Sequence, residues 1–143
     1  MPYADASFLV SLYILDNNSA RAKTEVASIT TPLPFSDLHA LEVRNAFELG
    51  VFRGHLTQAN AASAWVDLQT DIRNGRLVLT TPKWPTAFRF ARWLSRRQTA
   101  ALGLRSIDIL HVACAKTLQA REFFSFDTRQ RALASAQGLL VRP

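Results

Sequence analysis

The sequence predicts an α/β fold, a three-layer α/β/α arrangement around a central, mainly parallel sheet of short strands. Three observations predict it. Short apolar runs alternate in order with longer amphipathic segments, the pattern of parallel strands joined by helical crossovers. The breaks between segments carry helix punctuation, with Asn74-Gly75, Gly103 and Gly138 as stops and Thr57 and Ser106 as starts. The strand-like runs are much shorter than the helical ones, so helix should dominate.

Taken in order, Pro2–Asp5 reads as a strand. A helix from Ser7 to about Leu15 and a polar, amphipathic one from Ser19 to Ile29 follow it. Pro32-Leu33-Pro34-Phe35-Ser36 is a short extended piece, and Asp37–Arg53 is helical up to Gly54. Thr57 opens a helix that stops at Asn74-Gly75. Arg76–Thr80 alternates and runs into Pro82, which marks a strand. Pro85–Leu102 is helical to Gly103, and Ser106 caps a helix to about Gln119. Glu122–Phe126 is a strand, Thr128–Gln137 a helix, and Leu139–Val141 a last strand. No linker, repeat or low-complexity tract divides the chain, so residues 1–143 are read as one domain.

Composition bounds the function. At 143 residues, 48% hydrophobic and 20% charged, the chain can bury a core without staples. A single cysteine, Cys114, excludes an intrachain disulfide and a thiolate metal cluster. No apolar run approaches a membrane span and the first residues lack the basic start of a signal peptide, so the expected location is cytoplasmic, without membrane association. The net charge of +6 suits a polyanionic partner, nucleic acid first, and equally an ordinary solvated surface.

Four acids sit where a core-facing side chain belongs. Asp5 and Asp127 close apolar strands at the carboxyl end, where ligands bind in parallel α/β sheets. Both have an ordinary reading as helix N-caps, and Asp127-Thr128-Arg129-Gln130 has capping-box spacing. Asp108 lies in a helix that is apolar nearly all round, and with Ser106 as cap it is surplus to that task. Glu42 and Asn45 fall on a stripe formed by Leu38, Leu41, Leu49 and Phe52, where a glutamate is an error in a purely structural helix. A buried carboxylate is costly unless it is paired, hydrogen-bonded or metal-bound. One economical account gathers all four around a hard divalent cation, Mg²⁺ or Mn²⁺, that keeps positions open for phosphate oxygens.

Other candidates weigh less. His111, one turn beyond Asp108, is either a packed core histidine or a residue supporting the site, and His39 and His55 read as solvated or capping. Arg89, Arg92, Arg96 and Arg97 make a basic helical stretch whose ordinary reading is a solvated face. Trp65, Trp84 and Trp93 read as packing residues.

The chain resembles PIN-domain ribonucleases, most closely the VapC-type toxins of bacterial toxin–antitoxin modules. The resemblance rests on Ala4-Asp5-Ala6-Ser7, on Leu41-Glu42-Val43-Arg44-Asn45-Ala46, on Arg105-Ser106-Ile107-Asp108-Ile109-Leu110-His111-Val112-Ala113 and on Ser125-Phe126-Asp127-Thr128-Arg129. It implies that Asp5, Glu42, Asp108 and Asp127 bind Mg²⁺ or Mn²⁺ and hydrolyse RNA with water as nucleophile, Ser7 and Ser125 standing at the hydroxyl positions beside them. Arg105 and Arg129, next to the acidic motifs, would position the phosphate backbone. The resemblance further implies a toxin that blocks translation, a homodimer, and a cognate antitoxin that covers the groove. Ser106 stands where some members carry a further acid, so one or two ions stay open.

Two other readings remain. The acids of a non-catalytic PIN-like interaction module would only cap helices. A phosphatase or phosphotransfer domain would use Asp5 as nucleophile, but no second aspartate follows two residues later. Phe47, Val51, Phe52, Leu56 and Trp65 supply more apolar surface around a helical hairpin than so small a domain readily buries, which points to an interface there.

Overall fold

A computed structural model describes residues 1–143. In chain order the elements are β1 (Pro2–Ala4), α1 (Ala6–Tyr13), α2 (Ser19–Ala27), β2 (Leu33–Phe35), α3 (Asp37–Phe52) and α4 (Gln58–Arg73). They continue with β3 (Leu77–Leu79), α5 (Trp84–Leu102), α6 (Ser106–Thr117), β4 (Glu122–Phe124), α7 (Thr128–Ala136) and β5 (Leu140–Arg142). The α/β reading holds, and the element order agrees with the sequence expectation to within a few residues at each boundary.

Every strand pairing is parallel. The strands form a three-stranded sheet in the order β1-β4-β5 and a two-stranded sheet of β2 and β3. Tyr3 is opposite Phe123, and Ala4 opposite Phe124. Side chains alternate across a strand, so these neighbours enter different cores. Tyr3 and Phe123 join Leu94, Val112 and Leu133 under α5, α6 and α7. Ala4 and Phe124 join Phe8, Val43, Phe47 and Leu68 under α1, α3 and α4. Two helical layers therefore sandwich the strands. At the end of α5, Gly103 takes a left-handed conformation (φ 63°), and its N–H donates to Thr99 O at 2.8 Å. That C-cap turns the chain back so that α6 begins three residues later against α5.

β1 lies beside β2, but no backbone ladder joins them. The imidazole of His39, in the first turn of α3, spans the seam. Its Nδ1 accepts the Ser36 N–H at 3.0 Å, and its Nε2 donates to the carbonyl of Ala4 at 2.9 Å. Because Ser36 N can only donate and Ala4 O can only accept, the partners fix the tautomer. His39 is thus a capping residue, as one of its sequence readings had it, but a buried one rather than a solvated one.

Burial and the nearby His111 hold the His39 pKa down to about 3, against an ordinary 6.5. The unfolded chain takes up a proton that the folded chain refuses. Its contribution to stability is therefore complete above pH ~6.5 and is lost as pH falls toward about 3, at about 1.4 kcal/mol per pH unit. Urea melts between pH 8 and 4 should show this decline, with a slope shallower by about one proton in His39→Gln. Asp5, whose carboxyl burial raises, acts in the opposite sense in both proteins and cancels in the comparison. An acid limb of equal slope in the two would contradict the assignment.

Candidate active site

Asp5 follows β1 and caps α1. Its Oδ1 accepts the Phe8 N–H at 2.9 Å and the Ser7 hydroxyl at 2.7 Å, and its Oδ2 accepts the Ser125 hydroxyl at 2.6 Å. Burial raises its pKa, while His111 and these hydrogen bonds pull it back. Capping and membership of a polar cluster are thus the same geometry rather than rivals. Ser7 also accepts the Phe126 N–H, and Ser125 the Asp127 N–H, each at 3.0 Å, so the two hydroxyls tie the end of β1 to the end of β4.

Asp127 caps α7, its Oδ1 accepting from Arg129 N at 2.9 Å and Gln130 N at 3.0 Å. The expected capping box is only half formed. Gln130 does not reach back to the cap; its Nε2 points to Asp108 Oδ1 at 3.4 Å, and its buried Oε1 has no partner.

Asp108 is not surplus to capping, as the sequence suggested. Ser106 is the first helical residue and Arg105 the cap position, and Asp108 Oδ2 accepts the Arg105 backbone N–H at 3.0 Å. The Arg105 guanidinium adds Nε to Oδ2 at 3.0 Å and Nη2 to Oδ1 at 2.9 Å, a bidentate pair with a carboxylate that is only 1% exposed. The same Nη2 lies 3.2 Å from Asp127 Oδ2. Arg105 is therefore committed to two of the acids. Arg129, by contrast, is exposed and its side chain has no partner.

Glu42 is placed differently from the expectation. The buried face of α3 is Leu38, His39, Val43 and Phe47, while Leu41 (67% exposed) and Phe52 (87%) turn outward. The helix carries apolar residues on both faces, and counting His39 as polar shifted the apparent stripe. Glu42 sits at the edge of the true core face, about one quarter exposed (26%). Its Oε2 accepts from Nε2 of the fully buried His111, whose Nδ1 lies 2.9 Å from the Tyr3 hydroxyl.

Asp5 and Asp127 stand at the carboxyl ends of β1 and β4, Asp108 lies in the first turn of α6, and Glu42 lies in the second turn of α3. Arg105, Ser7 and Ser125 bridge Asp5, Asp108 and Asp127, while Glu42 meets only His111. The four do not pack as one ligand cluster, and no three His, Cys, Asp or Glu side chains approach closely enough to hold a metal ion together. Their donor chemistry does fit a hard cation. Every candidate ligand is a carboxylate oxygen, and Asp108 and Asp127 already converge on one positive charge, the Arg105 guanidinium. Sequence reasoning missed the Tyr3–His111–Glu42 chain. The available signals were that Tyr3 and Asp5 share a strand face and that His111 lies one helical turn from Asp108.

Residues 3–136 match the PIN domain family. The chain belongs to that family. Solved structures agree on the PIN fold. Mycobacterium tuberculosis VapC20, a Sarcin-Ricin loop cleaving toxin, superimposes with a TM-score of 0.71 at 20% identity, with 100% of each chain covered. FitAcB from Neisseria gonorrhoeae gives 0.65 at 15% identity, over 100% of this chain and 97% of that one. No curated protein matches the sequence.

The bidentate pair gives Arg105 a structural task in this PIN domain. Its guanidinium is well exposed, so its contribution is discounted to about 1–2 kcal/mol. Arg105→Gln should lower the melting temperature by about 2–8 °C. An unchanged melting curve would mean that the pairs with Asp108 and Asp127 add nothing.

Proposed function

We propose that this PIN domain, residues 1–143 acting as one unit, is a Mg²⁺- or Mn²⁺-dependent endoribonuclease and the toxin of a cytoplasmic toxin–antitoxin pair that blocks translation. The observation that carries the reading is the convergence of Asp108 and Asp127 on one cationic position, with Asp5 tied to Asp127 through Ser125. Asp5 and Asp108 are the principal ligands in this reading, and Glu42 and Asp127 complete the shell directly or through water. When bound, the divalent ion supplies activation of a water and neutralisation of the charge that develops on the phosphodiester. The chain's own contribution is orientation. Ser7, Ser125 and Phe8 N fix Asp5, Gln130 steadies Asp108, and the unpaired Arg129 meets the RNA backbone at the mouth of the site. VapC20, described as a toxin cleaving the Sarcin-Ricin loop, shares the fold and lends the RNA substrate its plausibility.

A second reading has its own support. Every acid also has a structural partner: Asp5 and Asp127 cap helices, Asp108 is filled by Arg105 and Gln130, and Glu42 meets His111. A non-catalytic interaction module would show the same bonds. Calorimetric titration with Mn²⁺ separates the two, because only the nuclease reading requires a binding isotherm that Asp108→Asn abolishes.

The corresponding activity test uses single-stranded RNA. Wild type should cut it with Mg²⁺ or Mn²⁺ and spare it with EDTA. Asp108→Asn keeps the size of the side chain but not its charge, and should reduce the rate at least a hundredfold (a 2.7 kcal/mol effect by ~1.36 kcal/mol per decade). Cleavage by Asp108→Asn at the wild-type rate would sink the assignment.

Partners follow from exposed apolar surface. Phe47 is buried and drops out of the expected interface, but Phe52, Leu41 and Val66 are exposed on the α3–α4 hairpin. In our reading that hairpin serves the homodimer and the antitoxin's docking helix. Light scattering at tens of micromolar should give a dimer, and Phe52→Glu should shift it toward monomer; a monomeric wild type would remove the dimer from the proposal.

A further inference from the structure

We infer that His111 is a positioning residue that holds Glu42 in one orientation, through a buried chain running from Tyr3 to His111 to Glu42. The inference rests on the proposed role of Glu42 as a metal ligand and names what keeps it in place. Two of the three residues are fully buried: Tyr3 on β1 and His111 on α6. The Tyr3 hydroxyl lies 2.9 Å from Nδ1 of His111, and Nε2 of the same ring meets Glu42 Oε2 on α3. A carboxylate oxygen can only accept, so Nε2 carries the proton that it donates, in the neutral ring and in the charged one alike. The role therefore does not depend on titration of the histidine. With Nε2 protonated in the neutral ring, Nδ1 is an acceptor and the Tyr3 hydroxyl its donor.

The two buried histidines show what a merely structural imidazole would look like. His39 bonds to backbone on its own cap and across the β1–β2 seam, and so ties main chain to main chain. His111 instead directs its outward N–H at a partly exposed side chain 69 residues away. A glutamate side chain that could face water loses rotamer freedom when it is held in this way. The contact satisfies the buried Nε2–H of His111 and at the same time restrains the carboxylate to one direction.

The rest of the geometry stiffens the chain. The Tyr3 ring stacks on Phe123 at 5.7 Å and 11° and meets the His111 ring edge-on at 5.9 Å, while His39 packs 5.1 Å from both rings. Hydrogen-bonded second partners that lock a ligand's orientation are a recurrent feature of metal sites. Glu42 Oε2 is occupied by His111, and Oε1 has no protein partner. One oxygen is held and the other is left for the cation or its water.

Two size-matched amides separate positioning from packing. In His111→Gln the amide nitrogen stands near Nε2 and can still donate to Glu42. In His111→Asn the side chain is too short to reach Glu42, but its carbonyl stands near Nδ1 and can still accept from Tyr3. Mn²⁺ affinity of the full chain, measured by calorimetry with thermal melts to verify folding, is the readout. His111→Asn should weaken Mn²⁺ binding by about tenfold to a hundredfold, and His111→Gln should stay within about threefold of wild type. In a Glu42→Ala background, His111→Asn should cause no further loss, because the histidine acts through that carboxylate.

Mn²⁺ binding by a folded His111→Asn at the wild-type level would overturn the inference. So would a loss of equal size in the Glu42→Ala background, or an equal loss in both amides. A wild-type protein that binds no Mn²⁺ would instead overturn the nuclease reading, and this inference with it. RNA cleavage should follow the metal: raising Mn²⁺ should restore His111→Asn turnover while the KM for RNA stays near wild type.

Discussion

The seam between β1 and β2 is where this fold meets its tightest constraint. Strands of three residues offer few backbone groups for pairing, and β1 spends its ladder on β4. The Ala4 carbonyl faces the other way, toward β2, where no ladder receives it. A buried carbonyl without a donor costs on the order of 1–3 kcal/mol. His39 removes that cost because an imidazole is a rigid spacer with an acceptor at one end and a donor at the other. It passes the hydrogen bonding from Ser36 N to Ala4 O across a gap that backbone alone leaves open. It must stay neutral to do so, and burial beside His111 keeps it neutral. Asp5 is the next residue after Ala4, so the position of the first acid depends on this splice.

Three of the four acids inherit their positions from helix capping. Asp5, Asp108 and Asp127 each accept a backbone N–H in the first turn of a helix, at 2.9, 3.0 and 2.9 Å for their shortest such bonds. Parallel strands feed helices that start at the carboxyl end of the sheet, so capping residues of successive units gather at that end for topological reasons. A PIN domain thus concentrates carboxylates without any single one being out of place locally. What must then be managed is repulsion. Here Arg105 manages it between Asp108 and Asp127, and the Ser125 hydroxyl shields Asp5, which feels burial more than any neighbouring negative charge.

Much of this was legible in the sequence because it is written locally. Glycine and asparagine stops, Thr57 as a cap and alternating apolar runs placed all twelve elements, and the four acids stood out by chemistry alone. The misreadings arose where local pattern is ambiguous or silent. Along α3, apolar residues occupy both faces, so Leu41 and Phe52 passed for core while the inward His39 passed for surface. Ser106 has the composition of a cap, yet the helix uses its first-turn aspartate instead. The long-range contacts of Arg105, His111 and Gln130 join residues 22 to 108 positions apart, and no periodicity encodes such pairs.

The bonds that satisfy Asp108 differ in how hard they hold it, and that bears on whether one carboxylate could serve both as a cap and as the metal ligand proposed above. A carboxylate has about four lone-pair sites, and those of Asp108 meet Arg105 N, Nε and Nη2 and, at a long 3.4 Å, Gln130 Nε2. The backbone bond is part of the α6 start and stays while the helix exists. The guanidinium is different, since its side chain is 65% exposed and can turn into water without opening the core. In the metal-dependent reading proposed above, a dication, with twice the charge of the arginine, would compete for the same oxygens. Capping fixes the carboxylate, while the arginine that neutralises it stands at the solvent edge.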